Sequence, residues 1–130
     1  MTAPTAEVLR RESGQATLEL ALGLPVVLVL VGAVVQIGLL AGDQVRLEHA
    51  AREAARAATV GSDPRVIRKA ADSGGLEGLR ITISPSADRR IQGEPVVVRI
   101  AYSPPTYVPL LGGLLSPDMY ATAQMRIEKP

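Results

Sequence analysis

Two residues near the N-terminus, Gly14 and Glu19, have types and a spacing that could serve a chemical purpose. Glu19 is a carboxylate that directly precedes a long run without charged residues. Burying a carboxylate is costly unless a cation or hydrogen-bond donors accompany it. Glu19 is therefore either solvated at the edge of the apolar run or the partner of a positive group. Gly14 has no side chain, so the backbone there can extend into a narrow cleft.

The rest of the chain has no residue pattern typical of catalysis. Cysteine is absent, and His49 is the one histidine, so neither a His-centred triad nor a thiol or zinc centre is indicated. A phosphate-binding glycine loop is also missing, and the carboxylates are scattered along the chain. We predict a protein that is not an enzyme, binds no cofactor or metal, and carries His49 on a helix surface.

Composition limits the fold and the partners. The chain has 130 residues and a net charge of +1, with its arginines interleaved with acidic residues, so no nucleic-acid partner is indicated. Phe and Trp are absent and there are three Tyr, so a core must be built from Ala, Val, Leu and Ile. A water-soluble part of this size has a thin core.

The residues Leu20 to Gly42 predict a membrane-spanning helix. This segment has no charged residue and one amide, Gln36. Its length corresponds to about 34 Å of helix, against a hydrocarbon core of about 30 Å. A cleaved secretory signal, which would leave a soluble domain beginning near Asp43, conflicts with the length of the run. A buried core helix would need a larger protein around it.

Three features of the span suggest how it meets other helices. Gly38 and Gly42 have the small-xxx-small spacing that lets membrane helices approach closely, and Gly32 lies further back in the run. Pro25 removes one backbone hydrogen bond and is expected to kink the first turns. Glycine is also common in membrane helices in general. These glycines could therefore either form a packing surface or have no packing role.

Charge counting leaves the orientation of the span undecided, because arginines flank both of its ends. They are Arg10 and Arg11 before the span, and Arg46, Arg52 and Arg56 after it.

The span is expected to continue as a helix to Val60, because Asp43–Val60 is rich in Ala, Glu and Arg. One weakly apolar stripe of this helix is predicted to contain Val45, Ala51, Ala55 and Ala58. The sequence Gly61-Ser62-Asp63-Pro64 then breaks the helix. Asp63 is expected to cap a second, short helix over Arg65 to Asp72.

Three alternating segments then predict strands: Leu79–Ser84, Pro95–Ser103 and Ala121–Glu128. We expect a small antiparallel sheet that packs on the helix, since three short strands alone are marginally stable. The link Pro104–Pro117 is apolar and rich in Pro and Gly, so it could cover the sheet, touch the membrane or meet a partner. The predicted fold class is α+β, with a long N-terminal transmembrane helix that extends into a small antiparallel sheet module.

The N-terminal residues resemble a known processing site. Gly14-Gln15-Ala16-Thr17-Leu18-Glu19 before an apolar helix is similar to the site at which a prepilin peptidase cuts type IV pilin-like proteins. More specifically, the chain looks like a TadE-like minor pseudopilin of the Tad (tight adherence) type IV pilus system. The residues that carry this resemblance are Arg11–Glu19, Pro25, the Ala-Arg pattern Ala50–Arg56 and the final strand Ala121–Glu128.

The resemblance implies a division of the chain and a role for each part. Residues 1–14 would be a leader, 15–60 the transmembrane and extended helix, and 61–130 an extracytoplasmic strand-rich module of a pilin-like protein. The cut would follow Gly14, Gln15 would become the N-terminus, and Glu19 would pair with the new α-amine of a neighbouring subunit. The implied partners are the membrane, the prepilin peptidase, other pilins or pseudopilins and the Tad assembly platform. The protein would lie in the inner or cytoplasmic membrane, with its N-terminus on the cytoplasmic side.

An alternative function belongs to a different class. The same layout would suit a single-pass, membrane-anchored extracytoplasmic binding module whose sheet recognises a ligand. That interpretation requires no processing at Gly14, so the N-terminal sequence of the mature protein separates the two.

Overall fold

The computed structural model describes residues 5–105 and 117–128, with side chains from Gly14 onward. The predicted α+β fold is confirmed. Most of the apolar link, residues 106–116, lies outside the described residues, as do residues 1–4. The elements in chain order are helix α1 (Thr5–Val60), helix α2 (Pro64–Asp72), strand β1 (Arg80–Ser84), a 3-10 turn (Ala87–Arg89), strand β2 (Pro95–Tyr102) and strand β3 (Met119–Arg126).

Helix α1 begins earlier than the sequence suggested. It starts at Thr5, so its first turns include part of the predicted leader, and it runs through Pro25 to Val60. The helical residues Gly14–Val60 are long and apolar enough to cross a membrane by length and composition, as predicted. Contacts divide the chain into two compact units, Met1–Val35 and Gln36–Pro130. In the first unit, large apolar side chains from Leu18 to Val35 are exposed.

Helix α2 follows the predicted capping pattern. The Asp63 carboxylate accepts a hydrogen bond from the backbone N–H of Arg65 at 2.9 Å, and Pro64 occupies the first helical position. At the other end, the Ser73 hydroxyl donates to the carbonyl oxygen of Ala70 at 2.7 Å. Gly75 then turns the chain with a φ of +72°, a conformation that favours glycine.

The three strands form one antiparallel sheet in the order β1-β2-β3, as expected. In register, Ile83 lies opposite Val98, and Val98 lies opposite Ala123. Side chains alternate between the two faces. The inward face of the central strand β2 consists of Val96, Val98, Ile100 and Tyr102.

The core of the second unit lies between the sheet, α2 and the last four turns of α1. Alanines from α1 supply much of it, and their small side chains allow both partners to approach the helix closely. The apolar α1 residues in this core, each at most 1% exposed, are Leu47, Ala50, Ala51, Ala54, Ala55 and Ala58. They share one cluster with Ile67 and Ala71 of α2 and with the inward face of β2.

The prediction that Val45 belongs to this stripe is wrong. Val45 is 66% exposed, whereas Leu47 is completely buried. The reason is angular: with about 100° per residue, Val45 lies about 120° around the helix from Ala51. Leu47 lies four residues before Ala51 and so occupies the same face.

The end of α2 lies close against α1 at Gly74. A Cβ atom added to Gly74 would lie 3.1 Å from the carbonyl oxygen of Arg46 and 3.3 Å from the Cβ of Ala50. Both distances are shorter than ordinary van der Waals contacts. The absence of a side chain at residue 74 therefore permits this approach.

The C-terminal end of α1 is capped by groups that are distant in the chain. The Arg90 guanidinium donates to the carbonyl oxygens of Ala58 at 3.2 Å and Gly61 at 3.1 Å. The backbone N–H of Glu128 donates to the carbonyl oxygen of Thr59 at 3.0 Å. These contacts satisfy carbonyl groups that a helix end otherwise leaves without partners, and they attach the sheet module to α1.

Candidate functional site

The predicted processing residues lie on an exposed part of α1. Gly14, Gln15 and Glu19 are all helical and solvent-exposed, and a Cβ atom at Gly14 would meet nothing within 4 Å. Gln15 and Glu19 are four residues apart, which is about one helical turn, so they share one side of the helix. Gly14 itself lies about 140° around the axis from Glu19. The residue that would carry a new amine is therefore on the same side as the carboxylate.

Glu19 lies at an abrupt change in polarity. Within the described side chains, no cation lies at ion-pair distance from its carboxylate. The side chains that follow are apolar and exposed, including Leu20 at 67% and Leu22 at 70%. A carboxylate at this edge favours either water or a positive partner supplied by another group. The geometry thus leaves Glu19 available for pairing.

The three glycines predicted to pack against other helices do not share one face. Gly38 and Gly42 are exposed, with open space where a Cβ would lie. They differ by about 40° around the axis, whereas Gly32 lies about 120° from Gly38. Gly32 is half-buried. Gly38 and Gly42 thus form one small, open patch, and Gly32 belongs to a different side of α1.

Pro25 lies inside α1, and the helix is continuous on both sides of it. A proline in a helix interior removes one hydrogen bond and crowds the carbonyl four residues earlier, here Ala21. The kink predicted at this position stays a prediction.

Two polar residues have structural roles that were not predicted from the sequence. Gln36 is 1% exposed, and neither its amide nitrogen nor its amide oxygen has a hydrogen-bond partner among the described residues. Arg90 is 8% exposed and caps α1. Gln36 could have been singled out as the one amide in a charge-free run, whereas nothing in the sequence around Arg90 distinguishes it from neighbouring arginines.

No metal or catalytic centre emerges from the part of the chain that the structure describes. It contains no group of three or more His, Cys, Asp or Glu side chains placed to hold a metal ion. His49 is exposed on α1, as predicted. In the sheet module, Arg80 and Asp118 form an exposed ion pair at 3.7 Å.

Comparison with known proteins identifies one segment of the chain. Residues 14–56 match the family model described as TadE-like protein. No curated protein and no solved structure matches the chain. The match begins at Gly14 and ends at Arg56, inside α1, so it covers Glu19, the span and the first core alanines. The matched residues are therefore similar to TadE-like proteins, and they lie within the helix that is long and apolar enough to cross a membrane.

Proposed function

We propose that this chain, whose residues 14–56 form a TadE-like domain, is a pilin-like structural or assembly subunit of a Tad-type pilus. In this proposal it is a minor pseudopilin that a prepilin peptidase cuts after Gly14. One observation supports this proposal. The family match falls on a helix in which Gly14 and Glu19 are both exposed and precede the apolar run.

The cut would convert an uncharged backbone amide into a positive amine. Hydrolysis of the Gly14–Gln15 peptide bond leaves a carboxylate on Gly14 and an α-amine on Gln15. Two unit charges 4 Å apart attract by about 1 kcal/mol in water and by about 4 kcal/mol at an effective dielectric constant of 20. The edge of a membrane is less polar than water, so the attraction between the amine and Glu19 of a neighbouring subunit is stronger there than in water.

The peptidase must first open the helix at the cut. Gly14 and Gln15 are helical, and a protease cleft accepts extended backbone. Glycine destabilises a helix interior by about 1 kcal/mol relative to alanine, which lowers the cost of local unwinding. The open space at the Cβ position of Gly14 also leaves room for the enzyme.

The exposed apolar surface of α1 supplies the second part of the proposed function. Side chains such as Val34, 70% exposed, and Ile37, 56% exposed, would face lipid or the helices of other pilins. The patch of Gly38 and Gly42 permits the closest approach of a second helix backbone. In the arrangement that the family suggests, the N-terminus is cytoplasmic and the sheet module lies outside the membrane, near the Tad assembly platform.

The mass of the mature protein tests this proposal. Intact-mass and N-terminal measurements on protein from native membranes should show a chain that begins at Gln15. Gly14→Ala should block the cut, because a methyl group is added at the scissile residue. Gly23→Ala is the matched control: it lies in the same helix and also has open space around it, so its processing should be normal. An intact leader in the unmodified protein, or normal cleavage of Gly14→Ala, would sink the proposal.

The alternative function, a membrane-anchored extracytoplasmic binding module, predicts a different result. On the outward face of the sheet, Arg99 lies between Thr82 and Thr122 in register, and these three residues are exposed. A ligand-binding module would use such a face and would keep its leader. The same mass measurement therefore separates the two functions.

A further inference from the structure

The outward face of the sheet carries charge that the proposed function does not use. On each strand the more exposed side chains alternate with the more buried ones, so the exposed positions share one face. The outward positions of the three strands include Arg80, Arg99 and Arg126, and none of these positions holds an acidic residue. This face of the sheet is therefore positively charged.

Arg80 already has a partner within the module. Its guanidinium lies 3.7 Å from the Asp118 carboxylate and donates a 3.3 Å hydrogen bond to the Ser103 hydroxyl. The side chains of Arg99 and Arg126 form no ion pair and no hydrogen bond with the residues that the structure describes. The uncompensated charge of this face is thus that of Arg99 and Arg126.

Arg99 lies on the central strand between two hydroxyl side chains. Its register partners are Thr82 of β1 and Thr122 of β3. Opposed side chains on neighbouring antiparallel strands have Cβ atoms about 4.5–5.5 Å apart. A guanidinium presents a planar fork of N–H donors that matches the two oxygens of a carboxylate, and the hydroxyls can donate to the lone pairs that remain. These three side chains together suit one carboxylate group.

Arg126 offers a position for a second carboxylate. It lies four residues beyond Thr122 on β3, so its Cα atom is about 14 Å from that of Arg99. Tyr120, 56% exposed, lies on the same face toward the other end of β3. We call Thr82, Arg99, Thr122 and Arg126 the Arg99 surface.

The composition of this face favours a protein as the partner. Arginine and tyrosine are enriched in protein interfaces, whereas lysine and acidic residues are depleted. The outward positions of the three strands contain arginine and tyrosine but no lysine. A second copy of this chain is not favoured, since the net charge of +1 does not draw two copies together.

The size of the face indicates a weak complex. Strands about 4.8 Å apart that rise about 3.4 Å per residue give the three-stranded face an area of roughly 350 Å². A standard stable interface buries about 800 Å² on each partner. Attachment of both proteins to one membrane would raise their effective concentration and so offset the small contact area.

We propose that the Arg99 surface is a docking site for an acidic segment of a different protein. Arg99, with Thr82 and Thr122, binds one carboxylate of that segment, and Arg126 binds a second. The docking rests on neither the cut at Gly14 nor the pilus role.

Carbodiimide coupling in native membranes tests whether a carboxylate reaches Arg99. Arg99→Lys keeps the charge and supplies an amine, which a water-soluble carbodiimide joins to a carboxylate in direct contact. Arg65→Lys is the matched control, because Arg65 is an exposed arginine on α2. Residue 99 should couple to Asp or Glu of another protein several times more often than residue 65, as measured by mass spectrometry of the joined peptides. Equal coupling, no coupling at residue 99, or coupling mainly to a second copy of this chain would overturn the proposal.

Peptide titration of the full chain in phosphatidylcholine nanodiscs measures the recognition itself. The probe is a Gly-Ser peptide with two glutamates four residues apart, which span about 14 Å when extended. It should bind several times more tightly than the same peptide with two glutamines. Arg99→Gln and Arg126→Gln should each weaken binding several-fold. Arg65→Gln, which changes the net charge equally, should leave binding unchanged.

Three results of the titration would contradict the proposal. They are equal binding of the two peptides, an equal loss with Arg65→Gln, and tighter binding of an alginate oligosaccharide with two carboxylates than of the peptide. The last result, if abolished by Arg99→Gln, would assign the Arg99 surface to a polysaccharide instead. Neither experiment depends on cleavage at Gly14, so this proposal and the proposed pilus role can fail separately.

Discussion

The guanidinium group of Arg90 lies 3.2 Å from the carbonyl oxygen of Ala58 and donates a hydrogen bond to it. A side chain from the loop before β2 thus caps the last turn of a helix 32 residues earlier in the chain. The negative end of the helix dipole also favours a cation at this position. This contact joins the membrane-proximal helix to the sheet module.

Replacing Arg90 should therefore loosen the module. Arg90→Ala removes the cap and leaves the buried carbonyl group of Ala58 and the partly buried one of Gly61 without this donor. Hydrogen bonds to charged groups contribute about 1.5–3 kcal/mol each, so the loss of both should lower the free energy of unfolding by about 3 kcal/mol or more. Urea unfolding of the full chain in detergent, followed by circular dichroism, measures the change. Arg89→Ala is the control, because the side chain of Arg89 is 81% exposed; an equal loss in both variants would refute the capping role.

Gly74→Ala should destabilise the contact between α2 and α1. The added methyl group would lie 3.1 Å from a backbone oxygen of α1, and relief requires the end of α2 to move. Overpacking of this kind typically costs about 1–3 kcal/mol. The midpoint of thermal unfolding should fall. Gly61→Ala, with open space at its Cβ position, should leave the midpoint nearly unchanged, and a similar fall there would argue against a steric cause.

Glu19→Ala should impair assembly and leave membrane insertion intact. The substitution removes the proposed partner of the Gln15 amine but keeps the apolar span. We expect incorporation into pili to fall by at least about tenfold, which corresponds to about 1.4 kcal/mol. Quantitative blotting of sheared pili and of membranes measures the two fractions. Glu48→Gln, an exposed carboxylate further along α1, provides the control. Pilus levels equal to those of the unmodified protein would exclude the pairing.

Bulky side chains at Gly38 and Gly42 should weaken association with other helices. Leucine at both positions would hold a partner helix away from the small open patch that they form. Co-purification with other pilins should decrease, while the amount of the variant in the membrane should not. Gly23→Leu makes the same chemical change, but the residues four positions before and after Gly23 are Glu19 and Val27. If Gly23→Leu has as large an effect, the patch has no special role.

The sequence was a reliable guide wherever structure depends on local pattern. The span follows from a charge-free run that matches membrane thickness, and α2 from Asp63 and Pro64, whose capping chemistry involves adjacent residues. The strands follow from strict alternation, and the continuous helix to Val60 from composition. The N-terminal boundary of α1 was less predictable, because the residues before Gly14 lack a clear periodicity and yet are helical from Thr5.

What the residues of one segment cannot reveal is which distant group they meet. Arg90 differs from Arg89 in the tertiary structure alone, where one side chain reaches α1 and the other faces water. The same holds for Val45 and Leu47, since the position of the sheet and α2 selects the buried face of the helix. Gln36 was visible as an isolated amide in the span, but its burial appears in the tertiary structure alone. Local patterns thus determined the elements and the membrane-capable helix, and long-range packing decided which polar groups became caps, buried groups or free surface.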